Sequence, residues 1–292
     1  MIKQTVFQKL LHFFLIKIII GIAVVGGSVA LMVWAGKSLP DKTQLSDDLK
    51  NIIIAFSTSA AAIFTYTLLF KSFEKRKITE LSLSGLAKNA VAGFGTGLIL
   101  QSLFILVIRI IGSYSIVRMN PVSFLILPFT TAITAGFVSE ILIRGIFFRL
   151  IEQKLGTVIA LFILTLLFGL LHINVTGATP ISIASTALQA GFLLSAGYVL
   201  FRSLWFTIFL HFAWDFAEPG IFGAINPGNT VNQSLLTSKI TGSMYLTGGQ
   251  MGPQNSVQAI IFCSITGFLF LWLARQKKRL IAPYWRNKLA SA

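Results

Sequence analysis

Two histidines and two carboxylates lie inside long apolar segments of this 292-residue chain: Glu140, His172, His211 and Asp215. A charged side chain at the centre of a lipid bilayer costs at least about 2.5 kcal/mol unless it faces the protein interior and has a partner. We therefore expect these four side chains to share one site. A carboxylate beside a histidine can hold and deprotonate a water molecule, which then attacks a carbonyl carbon.

The sequence divides the chemistry of such a hydrolysis among a few residues. Glu140 with His172 is predicted to activate the water. The tetrahedral intermediate carries an oxyanion that needs a hydrogen-bond donor or a cation, and His211 is the available donor, with Asp215 orienting it. Arg144 follows Glu140 by four residues on the same helical face, so it is predicted to hold that carboxylate in its charged form.

The same residues also fit three different roles. The four side chains form a plausible divalent metal shell with a metal-bound water as nucleophile, although the chain has no His-Glu-x-x-His motif. A proton or ion relay in a transporter is a second role, but no inverted repeat is evident. In the third, which is structural, Glu140–Arg144 and His211–Asp215 are self-neutralising pairs within helices, and His172 is a hydrogen-bonded core histidine.

The helices must bring these residues to a common depth. Glu140 lies about 15 residues before a predicted turn near Leu155, and His172 about 17 residues after it, which gives a depth difference of about 3 Å. His211 lies only about nine residues past the turn near Arg202. A site shared by all four therefore requires the sixth and seventh helices to be offset or tilted.

Composition indicates a membrane protein. Hydrophobic residues make up 55% of the chain and charged residues 11%, against about 25% charged residues in soluble domains. The net charge of +15 comes from short basic clusters between apolar runs, which favours anionic lipid headgroups over nucleic acid as a partner. Cys263 is the single cysteine, so a disulfide framework and a thiolate metal site are excluded.

Apolar runs of about the length that spans a bilayer predict an all-α, polytopic transmembrane bundle with about eight spans. The whole chain, 1–292, is predicted to be one integral membrane domain. Lys and Arg concentrate in alternate loops, which predicts that both termini are cytoplasmic. The runs lie near 11–34, 51–70, 86–111, 122–148, 156–173, 181–200, 203–217 and 256–274.

Polar segments separate these helices and hold the other seven acidic residues, in loops or at span ends: Asp41, Asp47, Asp48, Glu74, Glu80, Glu152 and Glu218. The segment 218–255 is the longest loop and is predicted to face outward. A solvated connector is its simplest interpretation, and a lid is the alternative. The Gly93-x-Gly95-x-Gly97 stretch lies in an apolar helix, which indicates close helix packing instead of a nucleotide-binding turn.

Three motifs resemble those of the CAAX-protease and bacteriocin-processing (CPBP) proteins, a family of intramembrane endopeptidases that includes the Ras-converting enzyme. They are similar, in order, to the family's Glu-Glu-x-x-x-Arg, Phe-x-x-x-His and His-x-x-x-Asn/Asp motifs. They lie in a core at 122–223 and read Ser139-Glu140-Ile-Leu-Ile-Arg144-Gly145, Phe168-Gly-Leu-Leu-His172 and His211-Phe-Ala-Trp-Asp215.

The resemblance implies hydrolysis of a membrane-associated or prenylated protein or peptide in the cell membrane, with a bacterial plasma membrane implied by the closer likeness to bacterial members. It also implies that the first-motif glutamate and His172 activate water, and that His211 and Asp215 stabilise the oxyanion. No cofactor is implied, and a divalent metal stays an alternative.

The chain departs from the family pattern at Ser139, which occupies the position of the first glutamate. Either Glu140 replaces that glutamate, or the protein is a catalytically weak or inactive scaffold or bacteriocin-immunity protein. Ser139 is a poor candidate nucleophile, since no lysine or histidine lies within its helical turn to activate it.

Overall fold

Eight apolar helices build the protein in a computed structural model that describes residues 13–38, 45–224 and 233–289. Each of the eight predicted runs overlaps one of them. A short helix, α9, follows at Tyr284–Leu289. The eight are α1 (Phe14–Lys37), α2 (Asp47–Phe73), α3 (Leu83–Ile110), α4 (Val122–Leu155), α5 (Thr157–Leu171), α6 (Pro180–Phe201), α7 (Leu204–Phe216) and α8 (Val257–Gln276).

Six of these helices are long and apolar enough to cross a membrane by length and composition: α1, α2, α3, α4, α6 and α8. The chain is therefore a multi-pass membrane protein. The prediction of eight spans is not confirmed, because α5 has 15 residues and α7 only 13, short of the roughly 20 that span a bilayer. The predicted orientation stays a prediction, and both ends of the chain (1–12 and 290–292) lie outside the described residues.

Side-chain caps fix where several helices begin. The Ser46 side chain accepts a hydrogen bond from the main-chain N–H of Leu49 at the start of α2. Thr179 and Ser182 form a reciprocal capping box at the start of α6, with Pro180 in the first turn. Such caps satisfy main-chain N–H groups that have no partner within the helix.

Close helix packing explains two glycines of the Gly93-x-Gly95-x-Gly97 stretch. A Cβ at Gly93 would lie 2.1 Å from the carbonyl oxygen of Phe206, and one at Gly97 would lie 2.6 Å from that of Leu210. Gly95 faces open space, with nothing within 4 Å. The packing prediction is therefore confirmed for Gly93 and Gly97, which let α3 approach the backbone of α7.

Helix α7 lies in the interior of the bundle. Its buried residues surround the helix axis and include Trp205, Phe206 and Phe212. On the α4 side, a Cβ at Gly136 would lie 2.9 Å from the carbonyl oxygen of Ile208. Nine of its 13 residues are buried, so the seventh predicted run is a short interior element.

The segment predicted as the long loop 218–255 has secondary structure of its own in the parts described, 218–224 and 233–255. Strand β2 (Leu236–Ile240) pairs antiparallel with β1 (Tyr114–Met119), and short helical turns follow. Glu218, Thr247 and Asn255 are buried. A solvated connector does not describe these parts, because they pack onto the helices through buried polar contacts.

Three π-helical segments interrupt the described helices. They are Ile141–Phe148 within α4, Ala187–Leu193 within α6, and Ala217–Ile221, which continues α7. Each contains or adjoins a residue of the site described below. Such π segments are rare in proteins and frequent at functional sites.

A buried ionic network ties one end of the bundle together; it consists of Glu74, Glu80 and Glu152 with Arg76, Arg149 and Arg202. The sequence correctly predicts that the three acids of this network lie in a loop or at a helix end. It gives no sign that they are buried, yet Glu80 is only 4% exposed and Glu152 only 1%. Its four ion pairs are Arg149–Glu74 at 2.8 Å, Arg76–Glu74 at 2.9 Å, Arg76–Glu80 at 2.6 Å and Arg202–Glu152 at 2.5 Å.

Two carboxyls of this network have lowered pKa values. Burial alone would raise the pKa of Glu74, but the charge of Arg149 and hydrogen bonds from Arg76 and Arg149 outweigh burial and bring it below its ordinary value. Burial likewise opposes the shift at Glu80, where hydrogen bonds from Arg76 and Tyr66 lower the pKa. Both acids are therefore held in their charged form.

Candidate active site

Glu140 joins the motifs of α4 and α7. Its carboxylate is fully buried, and Oε1 accepts hydrogen bonds from Nη1 of Arg144 and Nδ1 of His211, each at 2.8 Å. The guanidinium of Arg144 is also fully buried and lies 5.4 Å from the centre of the Phe168 ring. Arg144 therefore contacts Glu140 as predicted, and Phe168 covers Arg144.

His211 lies between two carboxylates. Its Nδ1 faces Glu140, and its Nε2 lies 3.3 Å from Oδ2 of Asp215. One imidazole can donate to two carboxylates only when both ring nitrogens carry protons. The arrangement thus fits a positively charged His211, with Asp215 in the orienting position that the sequence predicts.

His172 follows the last turn of α5 and is fixed by its own helix. Its Nδ1 lies 2.8 Å from the carbonyl oxygen of Phe168. Because a carbonyl oxygen only accepts hydrogen bonds, Nδ1 carries the proton, and in the neutral ring Nε2 is left as an acceptor. Within the described part of the chain, Glu140 is bonded to Arg144 and His211 and not to His172. The predicted Glu140–His172 pair is therefore not the pairing found.

A cavity of about 230 Å³ opens beside these residues. His172, His211 and Asp215 all line it, whereas Glu140 is shut off from it behind His211. Ser139 is half-buried and does not line the cavity. Three of the four predicted residues thus reach one space, and the fourth supports one of them.

Several cavity residues are not singled out by the sequence. Trp214 lies within the third motif, three residues after His211, and that spacing could have indicated the same helical face. Gln189 is a polar residue in an apolar segment, which was the sole signal at that position. Gln254 belongs to no motif, and it reaches the cavity from the turn Pro253–Asn255.

The cavity does not present a metal shell. In the described ranges, no three His, Cys, Asp or Glu side chains are grouped so that they could hold one ion. Both nitrogens of His211 already face carboxylate oxygens. The proposed set of Glu140, His172, His211 and Asp215 therefore does not fit a metal in this arrangement, and the metal-dependent alternative stays a prediction that a chelator can test.

Comparison with known proteins identifies the segment that builds this site. Neither the curated proteins nor the solved structures contain a match to the chain. The family model described as type II CAAX prenyl endopeptidase Rce1-like matches residues 121–217, which include α4 to α7 and all three motifs. At the level of the family, this indicates a CAAX-type membrane protease whose substrates are membrane-associated or prenylated proteins. The predicted resemblance is therefore confirmed over this segment: residues 121–217 of this chain match the Rce1-like family model.

Proposed function

We propose that this protein is an intramembrane endopeptidase that hydrolyses a peptide bond of a membrane-associated or prenylated protein with water as the nucleophile. One observation carries the proposal: an acceptor nitrogen of His172 and the His211 ring, which lies between the carboxylates of Glu140 and Asp215, border the same cavity. Such a pair supplies a base for water and a cation for the oxyanion.

His172 is the proposed base. Its Nε2 takes a proton from water as the hydroxide oxygen bonds to the scissile carbonyl carbon. The same proton passes to the departing amine nitrogen when the carbon–nitrogen bond breaks, so one water yields a new carboxyl terminus and a new amino terminus. Asp215 also borders the cavity, with 37% of its side chain exposed, and its carboxylate can accept a second hydrogen bond from the water.

His211 is the proposed oxyanion partner, and Glu140 is its positioning residue. Developing negative charge on the carbonyl oxygen is stabilised by the imidazolium, which is already oriented before the reaction begins. Arg144 donates a hydrogen bond to the Glu140 carboxylate, and the same carboxylate oxygen lies against Nδ1 of His211. This assignment moves Glu140 from the role of base, which the sequence predicts, to that of a support for His211.

The alternative of an inactive scaffold or immunity protein rests on Ser139. In the proposed mechanism a glutamate at this position is not required, because His172 supplies the base and Ser139 lies outside the cavity lining. A purely scaffolding role makes no use of the cavity, so substitutions of its histidines separate the two functions.

The test uses the purified full chain in lipid vesicles with a farnesylated, internally quenched peptide that ends in a CAAX sequence. We expect cleavage at one peptide bond, identified by mass spectrometry, and loss of cleavage in His172→Gln and His211→Gln. Gln250→Ala, an exposed change on a cavity-forming segment, is the matched control. Equal cleavage by the wild type and both histidine variants would refute the proposal, and activity lost in full chelator would support the metal-dependent version.

A further inference from the structure

Gln254 reaches the cavity from outside the segment that matches the family. It lies in the turn before α8 and borders the cavity together with His211 and Trp214. Its main chain is fastened at both polar groups. The N–H donates to Oε2 of Glu218 at 2.9 Å, and the carbonyl oxygen accepts from Ser185 at 2.8 Å and from the side chain of Gln189.

The side-chain amide of Gln254 is fixed at its oxygen and free at its nitrogen. Oε1 accepts a hydrogen bond of 2.5 Å from Nε1 of Trp214, which lies one helical turn after His211. No described group accepts a hydrogen bond from Nε2, and this nitrogen is not among the enclosed atoms without a partner. Gln254 therefore offers two N–H donors at the cavity, held at a set position relative to His211.

The chemistry of the cavity defines what these donors can bind. A primary amide nitrogen donates without carrying charge, and apolar side chains, including Leu193, Leu210 and Met251, share the cavity lining with the polar ones. A main-chain carbonyl oxygen is a neutral acceptor that suits this environment. A cationic group on the substrate does not suit this position, because it has no lone pair that can accept a hydrogen bond from the amide nitrogen.

We propose that Nε2 of Gln254 binds a main-chain carbonyl oxygen of the peptide substrate and so fixes the peptide against His172 and His211. This inference rests on the proposed function and deepens it. It assigns substrate binding to a residue outside the matched range 121–217, on the segment that precedes α8.

Glu218 is the positioning residue for Gln254. It is only 2% exposed, and its Oε2 accepts from the main-chain N–H of Gln254. Gln101 completes the arrangement, because in the orientation that satisfies its amide it donates to Glu218 and shares the single indole N–H of Trp214 with Gln254, each contact at 3.0 Å from Gln101. Loss of the Glu218 carboxylate would leave the Gln254 N–H buried without an acceptor and release the turn.

Two substitutions at Gln254 test the donating nitrogen Nε2, and one of them keeps the contact with Trp214. Gln254→Glu keeps an oxygen to accept from Trp214 but replaces the donating nitrogen with an acceptor, and Gln254→Met removes the amide without adding charge. We expect each to raise KM for the farnesylated peptide about 5- to 10-fold with little change in kcat, as for one lost hydrogen bond that acts on binding alone. Gln250→Met is the control and should match the wild type.

Glu218 supplies the second comparison. Glu218→Ala should raise KM by a similar factor, and Glu218→Gln, which retains an oxygen for the Gln254 N–H, should restore most of the affinity. Affinity is also measured without turnover, by the anisotropy of a fluorescent farnesylated peptide, so that a variant's binding is known even where cleavage is absent. Thermal unfolding of each variant in detergent identifies any that do not fold, and the Gln254 conclusion is drawn from whichever of its two variants folds.

The outcomes separate this inference from the function on which it rests. If the wild type cleaves the peptide and the folded Gln254 variant has the same KM and affinity, the inference is overturned and the proposed protease function is not. Binding that depends on Gln254 without any cleavage supports the inference and overturns the protease. A fall in kcat at constant KM overturns the binding role, and absence of both binding and cleavage in the wild type overturns both proposals.

Discussion

The ionic network and the cavity site are both clusters of buried charge, but their polar atoms are satisfied to different degrees. In the ionic network, both oxygens of Glu74, Glu80 and Glu152 accept hydrogen bonds from side chains of the described chain. At the site, Oε2 of Glu140 and both Nε and Nη2 of Arg144 have no partner in that part of the chain, whereas in the ionic network the buried side-chain atom without a partner is Nη2 of Arg149.

This difference separates a cluster that holds helices together from one that is prepared for chemistry. Fully paired carboxylates leave nothing to bind a ligand, and breaking one pair exposes its partner as an uncompensated charge. At the site, the contacts that run from Arg144 through Glu140 end at His211. The acceptor nitrogen of His172, Nε2, belongs to a ring that borders the open cavity. The two clusters therefore respond differently to substitution, one in stability and the other in turnover.

The largest effect is expected from the cavity histidines. Because His172 supplies the base and His211 the oxyanion partner, His172→Gln and His211→Gln should each lower kcat about 10³-fold. The melting temperature should stay close to that of the wild type. Initial rates on the quenched farnesylated peptide give kcat, and thermal unfolding gives the melting temperature. If the fraction of folded protein fell as much as the activity, the two clusters would no longer differ in their response to substitution.

The ionic network should show the reverse behaviour. Glu152→Ala leaves Arg202 without its carboxylate and Thr157 without its acceptor, so we expect unfolding to become easier by about 2 kcal/mol. Activity per folded molecule should be retained. Thermal unfolding in detergent and the rate normalised to folded protein test this, and a variant that is stable but inactive would instead connect the network to catalysis.

Acid should weaken the network through its carboxyls. The pKa values of Glu74 and Glu80 are lower in the folded protein than their ordinary values, so their contribution is complete above the unfolded pKa, about 4.3. It is lost as the pH falls through the folded pKa values. The melting temperature should therefore drop below about pH 4.3, and the drop should be smaller in Glu74→Gln. An equal drop in melting temperature in the wild type and in Glu74→Gln would argue against Glu74 as a source of the acid sensitivity.

The smallest effect is expected at Ser139. Since Ser139 does not line the cavity and His172 is the proposed base, Ser139→Glu should change the cleavage rate little. The same peptide assay measures it, with Ser139→Gln as the uncharged control. A large gain with glutamate alone would instead identify this chain as a decayed protease in which the missing carboxylate limits activity.

The positions of the helices and the identity of the site residues follow from local sequence. Long apolar runs predict helices, and ionisable residues inside them stand out, so Glu140, His172, His211 and Asp215 are found without a structure. The pairing of Glu140 with His211 is not local. It depends on how α7 enters the bundle relative to α4, which spacing along the chain does not determine.

Long-range polar packing accounts for the remaining differences. Glu152 lies near a helix end that looks solvated in sequence, yet it is buried and pairs with Arg202, 50 residues further along the chain. Gln254 is separated from Trp214 by 40 residues, so no spacing rule connects them. The Gln254 contact arises because the segment after α7 packs back onto the helices.

The most direct test of the central claim compares new peptide N-termini in membranes of cells that carry the wild type, His172→Gln or Glu74→Gln at matched levels of folded protein. We expect a specific set of termini to disappear with His172→Gln and to persist with Glu74→Gln, because the first change removes the base and the second only weakens the ionic network. Termini that are identical in all three would contradict the proposal that this cavity hydrolyses peptide bonds.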